Sequence, residues 1–382
     1  MKILTTLSLR RAWRGLIIIP VGVTLCGCSG LATRGSEQGP FLRLVNGQAA
    51  SFVIGQKSLT ATDSGNEHFM RNWCEAEVID GKLIIPDSLA NRFWVFSTMP
   101  HADGAIPDAV IGQNALADGN GGARPFETPT CIQKQGDHYY VATNPGVISI
   151  WNTLPTGIHA YDDQALITVP RGTDGLTAVG GKLIASSRER IFIWNSAPLS
   201  ATTVDSADIV LTGPGGGGAP FNCSYRHWTD GKRLLVADLA NHRILIWNTF
   251  PTSSTSPADF VLGQPDMTCP EAGCPPGTSA AQMSFPYAVI SNGIQIFVSD
   301  SGNSRVLVWN SFPTANNAPA DVVLGQADFT STLYMRGGNK VTAETLGECN
   351  GLGLDDHKLF VGDGACVPEG PCFFRWLVFE SK

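Results

Sequence analysis

The chain has 382 residues, with 26 Lys and Arg against 33 Asp and Glu, for a formal net charge of -7. Charge this sparse and mildly acidic excludes the basic stripe that a nucleic-acid surface requires. The 42 Gly and 24 Pro favour a fold with many turns, and an all-β toroid reaches this length as one unit.

Lys2, Arg10, Arg11 and Arg14 precede an apolar run of about ten residues at 16–25, too short to span a bilayer. This predicts an export signal, not a structural element. The run ends in Leu25-Cys26-Gly27-Cys28, which resembles the bacterial lipoprotein processing box. That resemblance implies cleavage before Cys28 and a lipid on Cys28, with Cys26 lost. An ordinary secretory signal is the alternative and also implies export. Arg10-Arg11 resembles a twin-arginine signal, although Leu9 stands where that signal favours a small polar residue. Ser29 follows the lipid site where inner-membrane retention would have Asp, which implies the outer membrane. Residues 29–40 read as a polar tether.

Residues 51–56, SFVIGQ, match 321–326, DVVLGQ, and stand alone as one short strand. From residue 73 onward one unit recurs: an apolar run (a), a Gly or Asp turn, a second run (b), a polar turn, a third run (c), then a link to a fourth (d). The Gly- and Asn-bearing two-residue turns are hairpin signals, so the strands are antiparallel. The first unit runs over 73–113, with its a–b turn at Asp80-Gly81. The second is eroded and begins near Cys131. The third turns at Gly180-Gly181, and the fourth at Asp230-Gly231. The fifth, over 285–326, turns at Asn292-Gly293. The sixth begins near Cys349 and turns at Asp355-Asp356; the chain ends after its third run. Six a-b-c units, five following d strands and one orphan d strand predict a six-bladed β-propeller of four-stranded antiparallel blades. The amino-terminal strand is expected to complete the last blade and close the ring, which removes an exposed edge. Residues 43–50 read as a lead-in strand at best. The domain division is 1–27 signal, 28–50 tether and lead-in, and 51–382 propeller.

The units read VADLANHRILIWN at 236–248, VSDSGNSRVLVWN at 298–310 and IPDSLANRFWVF at 85–96, and two d strands end in Leu-Gly-Gln and two in Ile-Gly-Gln. This phrasing resembles the NHL-repeat β-propeller family, in its bacterial variant. Blade two lacks both charges of the phrase and blade three keeps only Arg190, while blade six keeps Asp363 and Arg375 around an insertion. The resemblance implies the propeller fold; it does not carry one function, because the scaffold hosts many.

Asp87 with Arg92, Asp238 with Arg243, Asp300 with Arg305, and Asp363 with Arg375 fall at the b–c turns. Asp can accept backbone N–H bonds and the planar Arg fork can brace the turn. Recurrence from blade to blade favours this structural role over acid–base catalysis. Trp151, Trp194, Trp247 and Trp309 recur at one position and read as inter-blade packing.

The b–c turns and the long d–a links share one face, where recognition is expected around the channel mouth. Cys269 with Cys274 and Cys366 with Cys372 are spaced for local disulfides there, in a compartment where disulfides form. Cys74, Cys131, Cys223 and Cys349 begin inner strands and are expected around the mouth. Cys74 with Cys349 is a further disulfide candidate across the ring closure, and Cys131 and Cys223 have no assigned partners. A thiolate metal site is the alternative for these four. Glu75, Glu77, Arg226, His227 and Glu348 are expected to line the channel mouth. Phe373 and Phe374 fit either a recognition loop or a cap on blade six. No Walker loop, zincin motif or Gly-x-Ser-x-Gly elbow occurs.

These features predict a non-enzymatic binding or scaffold module for a protein or another envelope component. A lipid would hold it at the membrane, with no nucleic-acid partner and no predicted cofactor. The alternative is a metal-dependent lyase or hydrolase at the channel mouth. It resembles the peptide-amidating lyase only in repeat architecture and lacks a comparable histidine set.

Overall fold

The computed structural model describes residues 39–62, 75–112, 128–143, 146–154, 165–170, 172–269, 273–337, 340–366 and 372–382. Six antiparallel sheets follow one another in a ring. Blade five shows the pattern: a is Pro286–Ser291, b is Ile296–Asp300, c is Arg305–Trp309 and d is Val322–Leu324. Each strand is an apolar run, buried on both faces because a blade packs between two others. The a–b connections are tight; Gly180 and Gly181 carry φ of +57° and +83°, the mirror-image turn that suits strand twist. Blade two has a strand the sequence did not announce: Thr202–Thr203, from the link of blade three, lies parallel to its outer strand.

The apolar interior is divided into wedges between consecutive blades, one for each junction of the ring. Trp194 sits in the two–three wedge, Trp247 in three–four and Trp309 in four–five, each almost fully buried. Trp151 packs against the one–two wedge from a half-buried position. The indole N–H groups of Trp247 and Trp309 donate to carbonyls of their own c–d links, at Ser256 and Ala318. The repeated Trp therefore fills a wedge and pins a link.

The ring closes as the repeat count requires. Phe52–Ile54 pairs antiparallel with strand c of blade six, Cys372–Glu380, with Phe52 opposite Val378 and Ile54 opposite Trp376. The residues before it correct the expected lead-in strand. Residues 39–50 form no strand but a strap across blades five and six. Gly39 N–H bonds the Asn292 carbonyl, Gln295 bonds both backbone groups of Leu42, and Lys382 N–H bonds the Arg43 carbonyl. Leu42, Leu44 and Ala50 are buried in the five–six wedge.

The strap has an internal counterpart. VNGQAASFVIGQ at 45–56 aligns without gaps on ANNAPADVVLGQ at 315–326 and on ADGAIPDAVIGQ at 102–113. In blade five, Asn316 Oδ1 accepts the N–H of Val261, in the outer strand of blade four, and Asn317 N–H donates to the Val261 carbonyl. In blade one, Asp103 accepts from Val53 of blade six. In the strap, Asn46 accepts from Val323 of blade five and Gly47 N–H donates back to it. Asn317, Gly104 and Gly47 all adopt positive φ, +55°, +70° and +64°. Residues 46–50 are thus the c–d link that blade six would otherwise lack, and the closing piece is a link plus a strand.

Replacing Asn46 by Ala should cost about 1 kcal/mol, the net worth of one hydrogen bond, read as a lower urea midpoint. Deleting residues 39–56 should open both the strand edge of blade six and the edge of blade five, and give concentration-dependent association in size-exclusion chromatography.

Candidate functional site

The four Asp–Arg pairs are made. Arg Nε to Asp Oδ2 distances are 2.9 Å for Arg92–Asp87, 2.8 Å for Arg243–Asp238, 2.6 Å for Arg305–Asp300 and 2.8 Å for Arg375–Asp363. In blades four, five and six the rest of the guanidinium reaches both neighbouring d–a links. Arg243 donates to Ala219 O before its blade and Met267 O after it. Arg305 donates to Ser279 O and Gln282 O before, and Phe329 O after. Arg375 donates to Thr345 O before and Leu59 O after. Each Arg is a rivet joining two long loops to one turn. Burial pushes the Asp87 and Asp300 carboxyls up to about 6, against the pull of their arginines. Asp238 and Asp363 are raised for the same reason. All four carboxylates are sealed from solvent, so they are not presented to a substrate.

The glutamines of the repeated Gly-Gln also act on this face. Gln264 Nε2 donates to His242 O and Pro275 O, and Gln326 Nε2 to Ser304 O and Leu333 O. The recurrence of Gly-Gln was the available signal; nothing in the sequence showed which loop carbonyls it meets.

The central channel narrows to a cavity of about 40 Å³, enough for a few waters. All six inner strands line it, and it lies towards their a–b ends, with Thr229 and Ser291 immediately before turns. Glu75, Glu77 and His227 are brought together there; Arg226 and Glu348 are not. Arg226 turns away to the Asp174 carbonyl and the Cys131 sulfur, and Glu348 is exposed at the start of its strand. This corrects the expected group at a mouth on the long-loop face: strand alternation and the bulge between Ser224 and His227 separate the neighbours. His227 is buried, and neither ring nitrogen makes a hydrogen bond of good geometry. Burial first, and Arg226 second, lower its pKa to about 3, so it is neutral in the fold.

Cys269 and Cys274 form a disulfide in the link after blade four. Cys366 lies opposite Cys372 in strand register, closing an extended b–c hairpin in blade six. Cys349 is a free, fully buried thiol donating to the Arg305 carbonyl of blade five. It faces the five–six wedge, not blade one, which corrects the expected bridge to Cys74; Cys74 itself lies outside the described residues, as does Cys28. Cys131 is also buried in a wedge, so the expected ring of thiols at the mouth is not formed by these residues. Among the described residues no three His, Cys, Asp or Glu side chains converge as a metal site.

Phe373 and Phe374 correct the recognition-loop expectation. Both belong to strand c of blade six. Phe373 is fully buried against Met335 and Val341, under the Arg375 guanidinium, and Phe374 packs against the six–one wedge. Among the described residues, the large apolar side chains that the long-loop face exposes are Phe285 and Leu333, at 45% and 59%.

Together the ring of four-stranded sheets and the riveted loops define a six-bladed β-propeller. No protein-family model and no curated protein matches the chain. Among solved structures it is similar to a chain of the "Crystal Structure of Mitotic Checkpoint Complex", at 9% identity and TM-score 0.44, covering 85% of this chain and 79% of that one. It is also similar to the "Crystal structure of WD40 beta propeller domain of Doa1", at 12% identity and TM-score 0.43, covering 83% and 95%.

Replacing Asp300 by Asn leaves Arg305 buried without its counter-charge and should cost about 3–5 kcal/mol. Arg190→Ala, at an exposed position of blade three, should change stability by less than about 0.5 kcal/mol. Chemical denaturation of both variants checks the contrast. For His227, the folded pKa of about 3 lies below the unfolded value near 6.5. The unfolded chain therefore takes up the proton first. The stability from keeping His227 neutral is complete above about pH 6.5 and is lost as pH falls towards about 3, by about 1.4 kcal/mol per unit. Urea midpoints from about pH 7 to pH 4 should fall less steeply in His227→Gln.

Proposed function

We propose that the protein is a lipid-anchored envelope protein of the NHL-repeat propeller type, whose propeller binds a protein or another envelope component without turning it over. Cys28 would be the lipidated first residue of the mature chain, residues 28–38 the tether and the outer membrane its location. The observation that supports binding over catalysis is the use of the buried charges. The repeated carboxylates are closed in ion pairs that rivet loops, and the channel cavity where Glu75, Glu77 and His227 meet has room for only a few waters. The riveted loops form a rigid surface, which reduces the entropy lost on binding. A lipid supplies membrane attachment without a spanning helix, and among the described residues no helix is long and apolar enough to cross a membrane.

Two measurements test this. Intact mass of membrane-extracted protein should show a chain beginning at Cys28 with added acyl mass; an unmodified chain, or another start, rules out the anchor. Cross-linking in intact envelopes should capture a partner that Leu333→Glu loses and Lys232→Glu, at an a–b turn, retains, with melting unchanged in both. Equal capture by the two variants would remove the long-loop face from the reading.

A further inference from the structure

We propose that His242 is a proton-operated latch on the long-loop face: neutral, it ties the segment entering blade five to the b–c turn of blade four; protonated, it releases that segment.

His242 occupies the left-handed position of its turn, at φ +51°, and is buried. Its Nδ1 accepts the backbone N–H of Phe285 at 3.0 Å, across the boundary between two blades. The two rings meet edge to face with centroids 4.5 Å apart. An Nδ1 that accepts must be deprotonated, so the neutral ring carries its proton on Nε2. Protonation places an N–H against the Phe285 N–H. The acceptor is lost and two donors oppose each other. The ring is buried and packed edge-on against Phe285, and its backbone is anchored by the bond from Gln264 to the His242 carbonyl. Phe285 is itself held at φ +49°, a conformation costly for a bulky side chain, and is 45% exposed, so release favours departure from this geometry.

Blade one contains the same bond in a form that does not titrate. Asn91 occupies the equivalent turn position at φ +55°, and its Oδ1 accepts the N–H of Thr128 at 2.8 Å. Thr128 has φ +48° and, like Phe285, precedes the proline that opens an inner strand. The fold thus uses an amide in one blade and an imidazole in another for one inter-blade tie. The charged groups of the elements around His242 are Asp238 and Arg243 in its own blade and Asp300 and Arg305 in blade five, and each couple is closed as an ion pair. Burial is the cause that lowers the His242 pKa, so acid below its ordinary range is needed to open the latch.

The test is amide exchange in the full chain, expressed as protection factors so that the intrinsic pH dependence of exchange divides out. Protection at Phe285 should fall about fivefold, the worth of one hydrogen bond, as the pH is taken from about 7.5 to about 4, below the ordinary histidine range. In His242→Asn, which copies Asn91, it should stay constant, and Thr128 should stay constant in both chains. Constant protection in the parent, or an equal fall in His242→Asn, overturns the latch. Imidazole nitrogen shifts showing the proton on Nδ1 at neutral pH would also overturn it. The use of the latch in recognition rests on the binding reading above and is measured separately. Capture of the partner by cross-linking should fall at the lower pH in the parent and not in His242→Asn. A measured latch with pH-independent capture overturns that use alone.

Discussion

The architecture depends on one buried ion pair repeated around the ring. A propeller needs long connections between its blades, and long connections carry backbone polar groups that must be satisfied. In blades four, five and six a single guanidinium solves this by spending one N–H on its aspartate and the rest on carbonyls of the links on either side. Lys could not substitute, because its compact ammonium lacks the planar fork that reaches an aspartate and two separate loops together. The aspartate accepts backbone N–H groups in return, as Asp300 does from Ser284 and Asp363 from Gly347. Charge is placed in the interior here to organise loops, and a strongly shifted carboxyl is the by-product.

The same logic separates what the sequence showed from what it hid. Strand order, blade number and the Asp–Arg pairing were legible because each recurs, and recurrence at fixed spacing reports a repeated structural requirement. Blade six left two readings open at Phe373 and Phe374, a recognition loop or a cap. Its b–c hairpin is extended by several residues, to the register pair Cys366 and Cys372, so both aromatics are strand residues, Phe373 under a neighbouring link and Phe374 against a wedge. The channel group failed for a different reason. Adjacent residues on a strand face opposite ways, and a bulge at Ser224 to His227 resets the alternation, so Arg226 and His227 serve different surroundings. A bulge leaves no mark in one sequence.

Asn46 belongs to a pattern that the sequence does carry. The alignment of 45–56 with a complete link and strand is as regular as the blade repeats themselves, although the segment stands before the first full unit. Residues 29–50 are too short and polar for a further a-b-c unit, yet long enough for a link. The side chain that caps blade five and the strand that completes blade six arrive together, and both edges that a broken ring would expose are covered by one short piece of chain.

That piece has a consequence in time. Among the described strands the closing strand is synthesised first and its partner, Cys372–Glu380, last, so the contact between Phe52 and Val378 joins the two ends of the ring. Local hairpins can form as each blade emerges, but the ring cannot lock until almost all of the chain is available. Until then the emerging blades form an open arc with an uncovered edge at its growing end. The step that seals them is a single long-range event, after which the edge of blade six is covered.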